Sequence, residues 1–328
     1  MKNLHAKSPC CRGRIIKFGK RRRQCTSCGK TWRIKQKKRG RDKFRISDQL
    51  ILDYLNKKRF VFKTKADQER FRYRLTLSLN YFLARSKWLY PPENIPLIAV
   101  VDAMWETVEG IDCAVYVILL RPVDSDQAWI LPPVIVPERE SANGWEITLG
   151  SISIELKQRI IALVCDGEPH LVFQAKQLGW LIQRCHFHLI ASIKNYVTNN
   201  PLSRRRLLGK MVLEAVHTAL ATIDETKLET ALDDLILISK ITKNRKLKSR
   251  LTGFVKHIND FRTYLKYPKL NLPHTSNAAE SLIQCIRDLQ YRARGYRTAG
   301  SFIKWVKAVC LFKKTMGCAG KNQPIKSV

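Results

Sequence analysis

The chain has 328 residues, 45% of them hydrophobic, with 60 Lys+Arg against 27 Asp+Glu for a formal charge of +33. That apolar fraction supports one large core or two modest ones and excludes a disordered chain. The charge excludes an ordinary metabolic enzyme and calls for a polyanionic partner, nucleic acid first and an anionic membrane surface second.

The apolar runs are too short to span a bilayer, and the start of the chain, MKNLHAKSPCCRGR, has no apolar signal core. The expected location is therefore cytoplasmic and, with this charge, nucleoid-associated. Ten cysteines in such a setting serve as metal ligands or small core residues rather than as a disulfide framework.

Residues 1–45 hold 18 Lys+Arg and one acid, Asp42, a net +17 concentrated as a DNA-binding arm requires. Within them, SPCC (Ser8 to Cys11) and CTSCG (Cys25 to Gly29) flank a run that contains Arg21, Arg22 and Arg23. Two knuckles joined by a β-ribbon resemble a zinc ribbon, whose usual pattern is a pair of Cys-x-x-Cys motifs. Ser8 stands where the first cysteine would be, so the ligands expected for one structural Zn²⁺ are Cys11, Cys25, Cys28 and either Cys10 or His5. The following run, KTWRIKQKKRGRDKFR, interleaves Trp32 and Phe44 with cations; it suits phosphate contacts or a solvated basic linker.

Residues 46–92 change character, with apolar residues at helical spacing (Leu50, Ile51, Tyr54, Leu55, then Phe71, Leu75, Leu77, Leu79, Phe82, Leu83) and Pro91-Pro92 as a stop. This small helical module fits a helix-turn-helix that reads DNA ends, or equally an amphipathic pair packed on the next domain.

From residue 93 the order of elements carries the information. PLIAVVDAMWETV, CAVYVILLRPV and AWILPPVIVP read as three β-rich runs, and residues 143–159 read as a helix. Strand IIALVCDG, helix EPHLVFQAKQLG, strand WLIQRCHF and further helix follow. This β-β-β-α-β-α-β-α order is that of an α/β, ribonuclease-H-like catalytic core whose first part is residues 93–197. The crossover rule lays its fourth strand beside its first, so Asp102 (VVDAMWE) and Asp166 (LVCDG) lie side by side. Two such carboxylates in a cationic protein call for a divalent metal, and hard oxygen donors favour Mg²⁺ or Mn²⁺.

Glu280, in HTSNAAESLIQCIRDLQYRARGYRT, is the candidate third acid, at the start of a helix that turns strongly basic. The same residue fits a capping box, with Asn277 as the cap and Glu280 at N3. Arg292, Arg294 and Arg297, interleaved with Tyr291 and Tyr296, are candidates to hold DNA phosphates or a solvated helix face.

The combination of Asp102, Asp166 and Glu280, the Asp-Gly after the fourth strand, Cys185-His186-Phe187-His188 after the fifth, and ARGYR beyond the glutamate resembles the DDE transposases of insertion sequences, in particular the Mutator-like group. The likeness covers roughly residues 95–315. It implies that residues 198–268 are a mainly helical insertion, in keeping with the amphipathic runs LLGKMVLEAVHTAL and LETALDDLILISKI, and that residues 269–328 complete the core with a C-terminal helix and a basic tail. It also implies double-stranded DNA (element ends and target) as partner, a homo-oligomer in the synaptic complex, and strand cleavage and 3′-OH transfer with two divalent ions. Cys185 and His188 match a signature of that group, with a packing, positioning or metal-binding role. A structure-selective nuclease on the same fold, and a domesticated DNA-binding protein without catalysis, are the alternatives; the presence of all three acids counts against the second.

Overall fold

The computed structural model describes residues 8, 10–18, 22–33, 48–197, 206–293 and 298–319. His5, Arg21, Arg294 and Arg297 lie outside the described residues. The chain divides into two units, residues 1–46 and 47–328.

The first unit is a small antiparallel sheet of β1 (Ile15–Lys17), β2 (Arg22–Cys25) and β3 (Thr31–Arg33) in sequential order. Ile15 pairs with Cys25 and Gln24 with Thr31. With so few apolar side chains, Cys25 is its one buried core residue among those described.

The second unit opens with helices α1 (Asp48–Leu55) and α2 (Lys65–Arg85), the latter started by Thr64, whose hydroxyl accepts from the Asp67 N–H at 3.1 Å. Next come β4 (Leu97–Val108), β5 (Ile111–Pro122), β6 (Gln127–Ile130) and β7 (Val134–Val136). β4 and β5 form a long antiparallel hairpin turned through Glu109-Gly110, both at positive φ (55° and 78°), the conformation that matches strand twist. The third apolar run of the sequence is two strands rather than one. Pro132-Pro133 cannot donate to a ladder, so β6 and β7 pair separately with β5.

Helices α3 (Ala142–Gly150) and α4 (Ile154–Arg159) then replace the single helix expected over 143–159. The chain stops at Gly150 and restarts at Ser153, whose hydroxyl caps Leu156. β8 (Ile160–Cys165), α5 (Pro169–Gln177), β9 (Leu181–Arg184) and α6 (His186–Lys194) follow. β8 lies parallel to β4 and β9 parallel to β8, as the crossover rule requires.

Residues 206–266 hold α7 (Arg206–Ala221), α8 (Glu225–Ile241), α9 (Arg245–Lys256), α10 (Ile258–Phe261) and α11 (Thr263–Lys266). They build a separate apolar cluster (Val212, Val216, Leu235, Leu251, Phe254, Phe261) joined by Leu189 and Ile193 of α6. The chain returns through α12 (Asn277–Ala293) and α13 (Ala299–Lys313) and ends its described part on β10 (Thr315–Gly317), a strand on β6 that the sequence does not announce.

The result is a mixed α/β unit. Its seven-stranded sheet runs β10-β6-β5-β4-β8-β9, with β7 also on β5. Alternation along β4 sends Ile98, Val100 and Met104 to one face and Leu97, Ala99 and Val101 to the other. The first face packs against α12 and α13 (Ala279, Leu282, Ile283, Phe302, Val306) and also takes Ile51, Leu55, Leu79 and Phe82, so α1 and α2 share this core. The second is covered by α3, α4 and α5 through Trp145, Leu149, Leu156 and Leu171. No helix among the described residues is long and apolar enough to cross a membrane.

Candidate active site and cysteine cluster

Val100 pairs with Val164 across the parallel β4–β8 ladder, and Asp102 and Asp166 are each two residues further on. They therefore share a register and a face, the face covered by α12. Asp102 is half-buried and Asp166 exposed at the end of the strand. Burial is the main force that raises the Asp102 carboxyl to about 7, and Asp166 and Glu280 push it further in that direction, against His188 and the Ala103 N–H, which lower it.

Asp166 is held by a local turn: its Oδ1 accepts the Glu168 N–H at 3.1 Å, and the Glu168 carboxylate caps α5 through the Leu171 N–H at 2.7 Å. Gly167 has φ +98°, and a Cβ there would stand 3.0 to 3.2 Å from the guanidinium and stem of Arg184. Glycine follows the aspartate for both reasons.

Glu280 comes from the first turn of α12. The helix already includes Asn277, and the Glu280 N–H bonds to the Ser276 carbonyl at 3.1 Å. Asn277 is thus not the cap, and the capping-box alternative falls by one residue of offset. The carboxylate instead faces His188, whose Nε2 is 3.2 Å from Glu280 Oε1. The approach is off the direction a hydrogen bond needs, so Oε1 is buried with no hydrogen-bond partner. Burial raises the Glu280 carboxyl, opposed by His188 and Arg287.

The Cys185-x-x-His188 motif lies at the start of α6 rather than in a strand, because β9 stops at Arg184. Cys185 is buried and its sulfur accepts the Ser276 N–H at 3.3 Å; the Ser276 hydroxyl lies 3.4 Å from His188 Nδ1. Hydrogen bonding with Cys185 is the largest cause raising the His188 imidazole to about 9; Asp102 and Glu280 add to it, and burial opposes it. Cys185, His188 and Glu280 offer a sulfur, a nitrogen and an oxygen within 4.8 Å of one another, so Glu280 is a third ligand-type residue beside the motif. His186 has a different task. It is buried, its Nε2 donates to the Phe261 carbonyl at 2.7 Å, and burial lowers it to about 3.

Two residues next to Asp166 carry no signal in the sequence. Glu140, between β7 and α3, accepts from the Trp145 indole N–H at 3.0 Å; desolvation raises its carboxyl, and Asp166 and Glu168 add to the effect. Arg250 of α9 borders the Asp166-Gly167 turn from the other side. Arg292, by contrast, is three turns down α12 from Glu280, about 18 Å along the axis. Its Nη1 donates to the Tyr54 carbonyl at 2.8 Å and its guanidinium stands over the Tyr54 ring, which ties α12 to α1.

In the first unit, Cys10, Cys11, Cys25 and Cys28 come together with all four sulfurs within 4.8 Å. Cys10 lies 3.3 Å from Cys28 and Cys11 3.3 Å from Cys25. The Ser8 hydroxyl is the largest cause lowering the Cys25 thiol to about 5, helped by Cys11 and backbone N–H groups. Cys28 is pushed up to about 12 by Cys10 and Cys11, although the Lys30 backbone lowers it. Crowded thiols that share protons in this way suit a cation that takes them all as thiolates. The four cysteines can hold a metal ion such as zinc, and Ser8, in the place of a ligand, bonds to its neighbours instead. Arg22 and Arg23 lie on β2 of the same sheet.

Comparison with known proteins finds no family model that matches the chain and no matching curated protein.

Proposed function

We propose that the chain is a DDE-type DNA transposase of the Mutator-like group, with a ribonuclease-H-like catalytic core and an N-terminal zinc ribbon. The observation that carries this reading is that Asp102, midway along β4, and Asp166, just past the end of β8, share one face, with Asp166 and Glu280 both acting on the Asp102 carboxyl, which is raised to about 7, and Glu280 Oε1 buried without a hydrogen bond. An antiparallel set of strands continued by parallel β8 and β9 supports the fold.

An Asp102 carboxyl raised by burial and by its acidic neighbours, beside an orphaned Glu280 oxygen, fits a hard divalent cation, Mg²⁺ or Mn²⁺, which Asp102, Asp166 and Glu280 would hold. Two such ions, when bound, supply Lewis acidity to the attacking and leaving oxygens of a phosphodiester. The protein's own part is placement. The β4–β8 register fixes two acids, Gly167 leaves room for Arg184 behind the Asp166 turn, and Ser276 holds both Cys185 and His188 against the start of α12. The reaction is hydrolysis at an element end to free a 3′-OH, followed by attack of that hydroxyl on target DNA. The +33 charge, with +17 in residues 1–45, supplies phosphate affinity.

The test is Mg²⁺-dependent cleavage and joining of a DNA fragment that carries the sequence bordering the gene. Asp102→Asn, Asp166→Asn and Glu280→Gln should each abolish both steps and leave DNA binding intact. Activity that survives any one change removes that residue from the site, and cleavage without joining assigns the nuclease alternative.

A further inference from the structure

A cavity of about 420 Å³ lies between the Asp166-Gly167 turn, α6 and α9, within the range of small-ligand pockets. Its polar wall includes Asp166, Arg184, Ser192, Ser249 and Arg250, and Gly253 completes the α9 side. A second recess, bordered by Glu140 and Glu168, shares Asp166, Gly167 and Arg250 with it, so Arg250 stands where the two meet.

Three observations set this wall apart from an ordinary helix surface. α9 buries Leu247, Leu251 and Phe254 in the helical cluster, which turns positions 249, 250 and 253 toward the turn that carries Asp166. Gly253 is a mid-helix glycine, a residue that weakens a helix, and a Cβ there would meet nothing within 4 Å. Packing does not demand it, and the missing side chain leaves the α9 side of the cavity open. Arg250 makes no hydrogen bond and no ion pair among the described residues, whereas Arg184 is paired with Asp260 at 3.5 Å. A cation left free beside a group of carboxylates that repels polyanions is what a phosphate strand needs in order to approach them.

We propose that this cavity is a phosphate-binding subsite for a DNA strand next to the acid group, with Arg250 as its cationic ligand and Gly253 as the residue that keeps it open. The subsite rests on the transposase reading for the identity of the strand. It gives the helical insertion a role in holding substrate, and it places that role on α9 rather than on Arg292.

The experiment is site-resolved arginine modification of the full-length protein by phenylglyoxal, read by mass spectrometry, with and without a single-stranded DNA of roughly thirty nucleotides. The strand should slow modification of Arg250 by about fivefold, along with Arg22 and Arg23. In Gly253→Leu, which narrows the cavity beside Arg250, protection at Arg250 should fall below about twofold while Arg22 and Arg23 stay protected. Gly253→Ala, whose methyl group meets nothing, should keep the wild-type pattern. Protection at Arg22 and Arg23 with none at Arg250 overturns the subsite and leaves the DNA reading standing. Undiminished protection of Arg250 in Gly253→Leu also overturns it, since the cavity is then not the site of contact. Absence of protection at every arginine removes the DNA reading and the subsite together.

Discussion

His188 Nε2 stands 3.2 Å from Glu280 Oε1, although the two residues come from different helices and are remote in sequence. Ser276 makes the approach possible: its N–H bonds Cys185 and its hydroxyl lies against His188, so the start of α12 is fastened to the start of α6. The Cys-x-x-His spacing places both side chains on one side of the first turn of α6. In the DDE reading His188 is a positioning residue for Glu280, and the carboxylate has to leave the imidazole's direction to serve a cation.

His188→Ala should therefore lower Mg²⁺-dependent cleavage by about 10- to 100-fold, the usual effect of removing a group that orients a ligand. The loss should appear as a higher Mg²⁺ requirement, with DNA affinity unchanged. His188→Asn, which keeps a polar group near the carboxylate, should recover part of it. A Mg²⁺ titration of the two variants decides the matter: equal midpoints for wild type and His188→Ala would leave His188 a packing residue only.

The cysteine cluster gives a prediction in metal content. Purified protein should hold one zinc per chain through Cys10, Cys11, Cys25 and Cys28, and Cys10→Ser, Cys25→Ser or Cys28→Ser should each release it. The sequence leaves Cys10 and His5 open as the fourth ligand; the 3.3 Å approach of Cys10 to Cys28 selects Cys10, so His5→Ala should retain zinc. Cys185→Ser should also retain it. A second equivalent that disappears with Cys185→Ser would assign a metal to the Cys185, His188 and Glu280 group, at the expense of Glu280's place among the acids.

What could be read from the sequence, and what could not, divides along a physical line. The apolar run ending in Asp-Gly shows β8 and the position of Asp166, because strand burial and a turn glycine are local signals. The end of β9 is not local. WLIQRCHF reads as one strand, yet the chain leaves the sheet at Cys185 because the His186 N–H bonds to the His274 carbonyl and Gln183 bonds to the Phe261 carbonyl. Both partners lie far along the chain. The helix start at Asn277 differs by one residue from the reading of a cap there, since Ser and Asn are both good caps and only tertiary contacts choose between them. Glu140 and Arg250 reach Asp166 through folding alone, and no spacing in the sequence marks them.

His186 supplies a prediction in pH. Burial holds its folded-state value at about 3, well below the ordinary 6.5, so the unfolded chain takes up a proton that the folded chain refuses. The stability present above pH 6.5 should fall as pH drops, by about 1.4 kcal/mol per unit, until about pH 3. His186→Gln can still donate to the Phe261 carbonyl and cannot titrate, so the difference in stability between wild type and variant should shrink or reverse between pH 6.5 and 4. Denaturant melts at these two values check this; a difference that does not vary with pH would mean that the imidazole is protonated where it lies.

The Asp-Gly turn allows the conformational and the steric demands on one glycine to be separated. Gly167 and Gly179 both have positive φ, +98° and +77°. A Cβ on Gly179 meets nothing within 4 Å, whereas one on Gly167 meets Arg184 at 3.0 Å and beyond. Gly179→Ala should cost only the backbone penalty, about 1 to 2 kcal/mol. Gly167→Ala should cost more, by about 1 kcal/mol, because Arg184 is pinned between this turn and its pairing with Asp260. Removing the obstacle tests the cause: in an Arg184→Ala background, Gly167→Ala should cost no more than Gly179→Ala does, a coupling that urea melts of the four proteins measure as a double-mutant cycle. The catalytic consequence is separate from the stability one. Gly167 directly follows Asp166, so a shift of the turn moves a proposed metal ligand, and Gly167→Ala should reduce cleavage by about 100-fold, the scale expected for a displacement of about 1 Å at a reacting centre. Full activity in a Gly167→Ala protein that has lost stability would show that the turn can adapt without moving Asp166, and the placement of that carboxylate would then rest on the β4–β8 register alone.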